Sequence, residues 1–242
     1  FDPETYSDAV AFARIGEGSL GGKARGLAFM NSMILKHRLY DKHANVRIMI
    51  PRSVVIATDY FDDFIRLNGL KYIISQEFSD EEILSEFVSS TVPARLQQEL
   101  KAYIQTVRTP LAVRSSSKLE DSHYQPFAGI YSTYMIPYVD NGDQMLRLLL
   151  KAVKSVYASV YFAASRAYIQ SSQNLISEEK MAVIIQEVCG TEQDGLYFPT
   201  CSGVARSINY YPIGDERPED GVCNIAMGLG KLVVDGGRTL RF

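Results

Sequence analysis

The feature that most restricts the fold is a glycine-rich segment near the start of the chain, Gly16-Glu-Gly18-Ser-Leu-Gly21-Gly22-Lys23. Apolar residues at helical spacing follow it, including Leu27, Met30 and Ile34, and they predict a helix directly after the segment. Glycines let backbone N–H groups approach an oxyanion closely, and a lysine at a helix start adds a positive charge. The segment therefore predicts a turn that contacts phosphate. An ordinary glycine turn with a solvated lysine is the alternative.

The same glycines fit three known fingerprints only in part. G-x-G-x-x-G is typical of dinucleotide-binding proteins, but there it follows a strand, whereas the residues from Asp8 to Ile15 favour a helix. Neither the H-R-D nor the D-F-G triplet of protein kinases follows, and Lys23 precedes Ala24 instead of the Ser or Thr of a Walker A loop. A dinucleotide-dependent oxidoreductase stays a hypothesis, which a helix immediately before Gly16 would reject.

A second basic residue follows a short apolar run. The residues from Pro110 to Val113 predict a buried strand whose end delivers Arg114 into a polar loop with three serines. An arginine can hold a phosphate through two parallel hydrogen bonds, and nearby hydroxyls can add contacts. The alternative for Arg114 is an ion pair with Glu120 or Asp121 at the edge of the core.

Two further segments allow two interpretations each. The residues from Phe127 to Tyr134 predict either a flap that closes over phosphates or a plain hairpin. Gln186 and Glu187 end an apolar strand, whose backbone could pair with the edge of an adenine or could simply end the strand.

Helices and strands mix along the chain without a repeating β-α-β period, which favours the α+β class. The 242 residues suffice for one to two domains, with a possible seam near residues 107–110 or 175–180. Lys plus Arg is 25 and Asp plus Glu is 28, a net charge of −3 that disfavours duplex nucleic acid as a partner. The apolar runs are too short for a membrane span. Three cysteines without a C-x-x-C motif suit reduced thiols in the cytoplasm.

Several segments, in this order, resemble the N-terminal ATP-binding domain of the pyruvate phosphate dikinase and phosphoenolpyruvate synthase family. They are Gly21-Gly22-Lys23-Ala24, Ile50-Pro51 through Thr58, Ala112-Val-Arg-Ser-Ser116, Glu120-Asp121, Phe127-Ala-Gly129, Val183-Ile-Ile-Gln186, Ser202-Gly-Val204 and Gly228-Leu-Gly230. The resemblance implies an ATP-grasp-type fold, two α+β lobes with ATP between them. It also implies that residues 1–242 are a nucleotide-binding fragment of a larger multidomain protein, in line with the absence of an initiator Met.

The resemblance assigns roles to residues of this chain. Lys23 and Arg114 would be the catalytic pair that clamps the phosphates. The implied nucleotide-binding set is Gly21, Gly22, Ser115, Gly129, Thr133, Gln186, Glu187 and Lys231. Of these, Gly129 and Thr133 would lie in the loop over the phosphates, and Gln186 and Glu187 would border the adenine.

Two positions depart from the family pattern. The family usually reads Gly-Leu-Gly-Glu, with the Glu at the Mg²⁺–phosphate site, whereas this chain has Lys231 there and Asn224 at an earlier acidic position. Since lysine cannot ligate Mg²⁺, other groups (Glu187, Asp235 or residues beyond Phe242) hold the metal, or Lys231 binds phosphate itself, or activity is lost.

The resemblance therefore implies an ATP-dependent phosphotransferase with Mg²⁺ as cofactor. It would pass a phosphoryl group to a histidine on a separate swivelling domain, and its partners would be the phosphohistidine and substrate domains of the same protein. The alternative is a catalytically degenerate nucleotide-binding or regulatory module. The final acceptor, pyruvate, a glucan or another molecule, is not encoded in this segment.

Overall fold

A computed structural model describes residues 11–74, 76–117, 131–171, 179–234, 237 and 239–242. The chain divides into two compact units, Phe1–Glu187 and Val188–Phe242. The sequence places a possible seam near residues 107–110 or 175–180, and the division in the structure follows Glu187.

A five-stranded mixed sheet forms the centre of the first unit. Its strands are β1 (Phe12–Ile15), β2 (Ser53–Ile56), β3 (Leu111–Ser117), β4 (Thr133–Ile136) and β5 (Met181–Glu187). They lie in the order β1-β2-β5-β3-β4. Only β1 and β2 are parallel, and the other neighbouring pairs are antiparallel. The first six of the seven residues of β5 are buried, as its apolar sequence predicts for a central strand.

Helices cover both faces of this sheet. They are α1 (Gly21–Lys36), α2 (Thr58–Leu67), α3 (Asp80–Ser89), α4 (Ala94–Ile104), α5 (Gly142–Ala158) and α6 (Ala163–Ser171). Val183 and Ile185 of β5 join the large core with residues of α2 to α6, whereas the alternate residue Ile184 packs with Ala24 of α1 and Val55. Because successive strand residues point to opposite faces, α1 lies on one face and the main core on the other.

Local signals explain several helix ends. Ser79 and Glu82 form the capping box at the start of α3 that their spacing indicates. Pro93 precedes α4 and separates it from α3. The sequence also predicts one long helix from Asp143 to Ser171, and this prediction is wrong. Phe162 is extended, and α6 begins after it with the N–H of Ala163 bound to Asp80 Oδ1 at 2.8 Å.

Two further predictions need correction. The helix expected up to Ile15 is absent from the described residues, where Phe12–Ile15 form β1. Parallel pairing with β2 supplies the hydrogen bonds that the short local pattern does not reveal. Arg114 lies within β3 and not in a loop after it, because the strand continues to Ser117 through antiparallel pairing with β5.

The second unit is built from short strands. Strands β6 (Thr191–Gln193) and β7 (Leu196–Phe198) form a hairpin. Strands β8 (Cys201–Arg206), β9 (Val222–Met227) and β10 (Leu240–Arg241) form an antiparallel sheet with β9 in the middle, and helix α7 (Lys231–Val234) follows β9. The Glu216 carboxylate joins its loops, accepting hydrogen bonds from Asn209, Ile213 N–H and Arg241 at 2.7–3.0 Å.

The fold is therefore a mixed arrangement of helices and strands, consistent with the predicted class. Among the described residues, no helix combines the length and apolar character that crossing a bilayer requires.

Candidate functional site

The glycine loop, residues 16–20, connects β1 to α1. Because β1 and β2 are parallel, the loop that follows β1 and the residues that follow β2 lie at the same edge of the sheet. Thr58 and Asp59, the first two residues of α2, contact the loop there. The N–H groups of Glu17 and Gly18 donate to the Asp59 carboxylate at 2.9 and 3.1 Å, and the N–H of Ser19 donates to Thr58 Oγ1 at 3.0 Å.

This contact explains two of the glycines. Gly16 has a φ of +96°, and a Cβ there would lie 2.6 Å from Asp59 Oδ1. A Cβ at Gly18 would lie 2.6 Å from the backbone nitrogen of Asp59. The glycines of this loop therefore admit a carboxylate of the protein itself. The amides of residues 17–19 already have side-chain partners, so they are not a cradle for a pyrophosphate.

The same contact bears on the dinucleotide hypothesis. A helix before Gly16 would have rejected the dinucleotide hypothesis. The structure has a strand there, so the hypothesis is not rejected on this ground. The occupied amides do argue against it, because in dinucleotide-binding proteins the glycine-rich turn approaches the pyrophosphate closely.

The first turn of α1 packs tightly against β3. Gly21 has a φ of +71°, and a Cβ there would lie 1.9 Å from the carbonyl oxygen of Ser116. The buried Ser116 hydroxyl donates to the Leu20 carbonyl at 2.8 Å and accepts from the Ala24 N–H at 3.1 Å. A residue of β3 thus takes part in capping α1, whose N-cap residue Leu20 makes no side-chain hydrogen bond to the helix.

Lys23 lies on α1 and contacts β3, the strand that carries Arg114. Lys23 Nζ donates to Ser115 Oγ at 3.3 Å, across 92 positions of the chain. Ser115 is fully buried and directly follows Arg114. The structure therefore brings Lys23, near Gly21 and Gly22 at the start of α1, to Ser115. Because successive strand residues point to opposite faces, the side chains of Ser115 and Arg114 leave β3 on opposite sides of the sheet.

Side chains on neighbouring strands surround Arg114. Its Nη1 donates to Gln186 Oε1 on β5 at 3.3 Å, and Gln186 Nε2 donates to the buried Ser53 Oγ on β2 at 3.2 Å. Ser53 Oγ donates in turn to the Pro51 carbonyl at 2.8 Å. Thr133 pairs directly with Arg114 in the register of β3 and β4. Gln186 and Thr133 thus lie beside Arg114.

Glu187 lies elsewhere. It pairs with Leu111, three residues from Arg114, or about 10 Å along a strand that rises ~3.3 Å per residue. Its carboxylate forms an ion pair with Arg52 Nε at 3.2 Å and accepts from Thr109 Oγ1 at 3.2 Å. These partners give Glu187 a structural role where the first unit ends.

The described residues do not present an evident magnesium site. Within them, no group of three or more His, Cys, Asp or Glu side chains is placed to hold a metal ion. Glu187 is engaged as described above. Asp235, the other acidic residue considered as a ligand, lies outside the described residues.

The remaining predicted residues lie in the second unit or outside the described ranges. Lys231 is exposed and begins α7. Asn224 lies in β9, where Thr239 Oγ1 approaches its side-chain oxygen at 3.5 Å. Gly129, Glu120 and Asp121 lie outside the described residues.

Sequence reasoning missed four residues that shape this site. Thr58 and Asp59 are recognisable from the sequence only as candidate caps for α2, whose N-cap is in fact Ala57. Ser53 and Ser116 hold Gln186 and α1, respectively. Recognising β1 as a strand parallel to β2 is the signal that would have placed Asp59 beside the glycine loop.

The arrangement suits an anion with several oxygens. Two basic residues, Lys23 and Arg114, lie on α1 and on the strand β3 that α1 contacts, and each has a hydroxyl-bearing neighbour, Ser115 or Thr133. A polyphosphate offers the spread of negative charge that such a pair can neutralise.

Comparisons with known proteins agree with this chemistry. The family model described as "Pyruvate phosphate dikinase, AMP/ATP-binding domain" matches residues 17–240. The chain is 26% identical over 234 residues to an uncharacterised phosphotransferase, YvkC, of Bacillus subtilis, covering 96% of this chain and 24% of that protein. It is 25% identical over 239 residues to a phosphoenolpyruvate synthase of Aeropyrum pernix, covering 90% of this chain and 25% of that protein. The chain spans about a quarter of the length of these relatives.

Proposed function

The chain belongs to the family of pyruvate phosphate dikinase AMP/ATP-binding domains, and from that membership we propose that Lys23 and Arg114 clamp the phosphates of ATP. The protein then passes a phosphoryl group from the bound ATP to a histidine on a separate, swivelling domain. The phosphohistidine and substrate domains of the same protein are its partners. Membership of an ATP-binding phosphotransfer family supports the proposal.

One observation carries it. Lys23 Nζ lies 3.3 Å from the hydroxyl of Ser115, the residue next to Arg114, although 92 positions separate Lys23 from Ser115 in the sequence. This contact joins α1, which carries Lys23, to β3, which carries Arg114. Neutralising a triphosphate is the role that family membership proposes for the two basic residues.

The chemistry asks mainly for positioning and charge. A P–O bond of the phosphoanhydride breaks, a P–N bond to the imidazole forms, and the leaving nucleotide keeps the bridging oxygen. Such transfers depend on alignment and on neutralising the phosphate oxygens. Lys23 and Arg114 supply positive charge, and Gln186 orients the guanidinium of Arg114 by accepting its hydrogen bond.

The proposal is tested with Arg114→Ala in the protein at its natural length. We expect phosphoryl transfer from ATP to fall on the order of 10³-fold, the scale of losing an arginine that stabilises this kind of transition state. Radiolabelled ATP and acid-labile labelling of the protein measure the transfer. Arg147→Ala, which removes an exposed arginine on α5, is the matched control.

The thermal midpoint of each variant shows whether the fold is retained. Unchanged transfer by folded Arg114→Ala protein would remove Arg114 from the mechanism. An equal loss in Arg147→Ala would show that the effect is not local to the site.

A second candidate function is a nucleotide-binding module without transfer activity. Lys231 and Asn224 at the family's acidic positions favour it. Calorimetric titration with ATP, with and without Mg²⁺, separates the two candidates. Binding that depends on Mg²⁺ favours the phosphotransferase, and tight binding that ignores Mg²⁺ favours the module.

The proposal extends to three properties that follow from the family resemblance. They are an ATP-grasp organisation, the use of ATP with Mg²⁺, and a cytoplasmic location. The three cysteines are not joined in disulfides, and two of them are exposed, which suits a reducing compartment.

A further inference from the structure

We infer that Asp59, together with Thr58, is a positioning residue for Lys23. The Asp59 carboxylate fills the glycine loop as a bound anion would, and so fixes the start of α1. This inference rests on the proposed function, because its consequence is measured as ATP binding through Lys23.

Hydrogen bonds join three consecutive loop residues to Thr58 and Asp59. Both carboxylate oxygens of Asp59 accept backbone N–H groups, from Glu17 at 2.9 Å and from Gly18 at 3.1 Å. Thr58 is bound to Ser19 in both directions, since its hydroxyl accepts the Ser19 N–H and its own N–H donates to the Ser19 carbonyl, both at 3.0 Å. Three consecutive loop residues are therefore fastened to the start of α2.

The glycine loop and the start of α2 lie too close together for side chains to fit between them. Gly16 and Gly18 each lie so near Asp59 that a Cβ would approach its atoms within 2.6 Å. The positions of the loop that face the Asp59 carboxylate are therefore glycines, which have no side chain. A loop shaped to receive phosphate would leave the same amides open to the ligand.

The path from Asp59 to Lys23 is short. The loop ends at Leu20, whose carbonyl accepts from Ser116, and Lys23 is the third residue of α1. Fixing residues 17–19 against α2 and Leu20 against β3 holds the first turn of α1 at both sides. Lys23 extends from that turn to Ser115, the residue that follows Arg114 in β3.

In many glycine-rich loops the same backbone amides shape the loop and bind the phosphate, whereas in this chain different groups do so. In this chain the loop amides hold the protein's own carboxylate, and the side chains of Lys23 and Arg114 hold the phosphates. Asp59 acts through Lys23 and does not contact the nucleotide.

A double-mutant cycle tests this role in the protein at its natural length. Calorimetry gives the ATP dissociation constants of the wild type, Asp59→Ala, Lys23→Met and the double variant. We expect Asp59→Ala alone to weaken ATP binding about tenfold, within the range of coupling between residues linked by a backbone shift. In the Lys23→Met background the same change should weaken binding no more than about twofold.

Thr58 supplies a second pair of variants. Thr58→Ser keeps the hydroxyl and should bind ATP as the wild type does, whereas Thr58→Val loses it and should weaken binding. Asp63→Asn is the matched control, because Asp63 lies on the exposed side of the same helix and forms an ion pair with Arg66, three residues further along. It should leave ATP binding unchanged.

The outcomes separate this inference from the proposed function. A wild-type protein that does not bind ATP overturns both. If the wild type binds ATP, equal binding by Asp59→Ala overturns the inference alone. So does a loss of the same size in both backgrounds, which would show a general structural effect. If Asp59→Ala does not fold, Thr58→Val binding as tightly as Thr58→Ser overturns it.

Discussion

The close contact between α1 and β3 depends on the absence of a Cβ atom at Gly21. At Gly21 the hydrogen in place of a Cβ lets the helix start against the backbone of Ser116, in a left-handed conformation that an L-residue adopts at a cost. Gly26, five residues further along the same helix, has nothing within 4 Å of the place of a Cβ. The two glycines therefore predict opposite effects of the same substitution.

Gly21→Ala should lower the free energy of unfolding by at least about 2 kcal/mol, from the left-handed conformation and the overlap with Ser116. Gly26→Ala should raise it by up to about 1 kcal/mol, since alanine favours a helix interior over glycine. Urea unfolding followed by circular dichroism measures both. Equal effects of the two changes would contradict the packing described at Gly21.

Residues differ in how far the sequence reveals them. Lys23 and Arg114 are recognisable because each is a basic residue beside glycines or serines, a local pattern. Asp59 is not recognisable in this way, because its hydrogen-bond partners Glu17 and Gly18 lie 42 and 41 positions away. Only the pairing of β1 with β2 brings them together.

At the scale of elements, the capping box of α3 links a helix end to pH. The Ser79 N–H and hydroxyl both donate to Glu82 Oε2, at 2.8 and 2.9 Å, and these bonds lower the pKa of Glu82 below its ordinary value of 4.5. The unfolded chain therefore takes up this proton at a higher pH than the folded chain. The stabilisation is present above the ordinary pKa and is lost as pH falls through the lowered pKa of the folded protein.

Glu82→Gln should accordingly make stability less sensitive to acid. We expect the difference in unfolding free energy between pH 6 and about pH 3 to shrink relative to the wild type. Glu81→Gln, at the neighbouring position of the same first turn, should shrink it less. Urea titrations at the two pH values provide the measurement. Identical acid sensitivity of the wild type and Glu82→Gln would contradict this role of the capping box.

Elements with strong local signals are predictable from the sequence, and elements that depend on distant partners are not. The helix after the glycine loop, the capping box at Ser79 and the buried strand β5 are each encoded within a few residues. Strand β1 has only four residues, and its partner β2 begins at Ser53. The break at Phe162 depends likewise on Asp80, 83 positions earlier than Ala163.

At the scale of the whole molecule, the two units differ in how they bury their strands. Strand β5 is paired on both sides and its first six residues are buried, whereas five of the six residues of β8 are exposed. Local opening costs least where few apolar contacts are lost. The first unit should therefore hold the slowest-exchanging amides.

Hydrogen exchange followed by mass spectrometry tests this difference. Peptides covering β5 should exchange at least about tenfold more slowly than peptides covering β8. Equal protection of the two strands would show that β8 is covered in solution.

The carboxylate seated in the glycine loop also has a practical meaning for protein design. A redesign that aims to bind a nicotinamide cofactor would find the G-x-G-x-x-G pattern already present in this chain. The Asp59 carboxylate already binds the loop amides, however, so the redesign would have to begin by replacing Asp59, which lies well outside the motif.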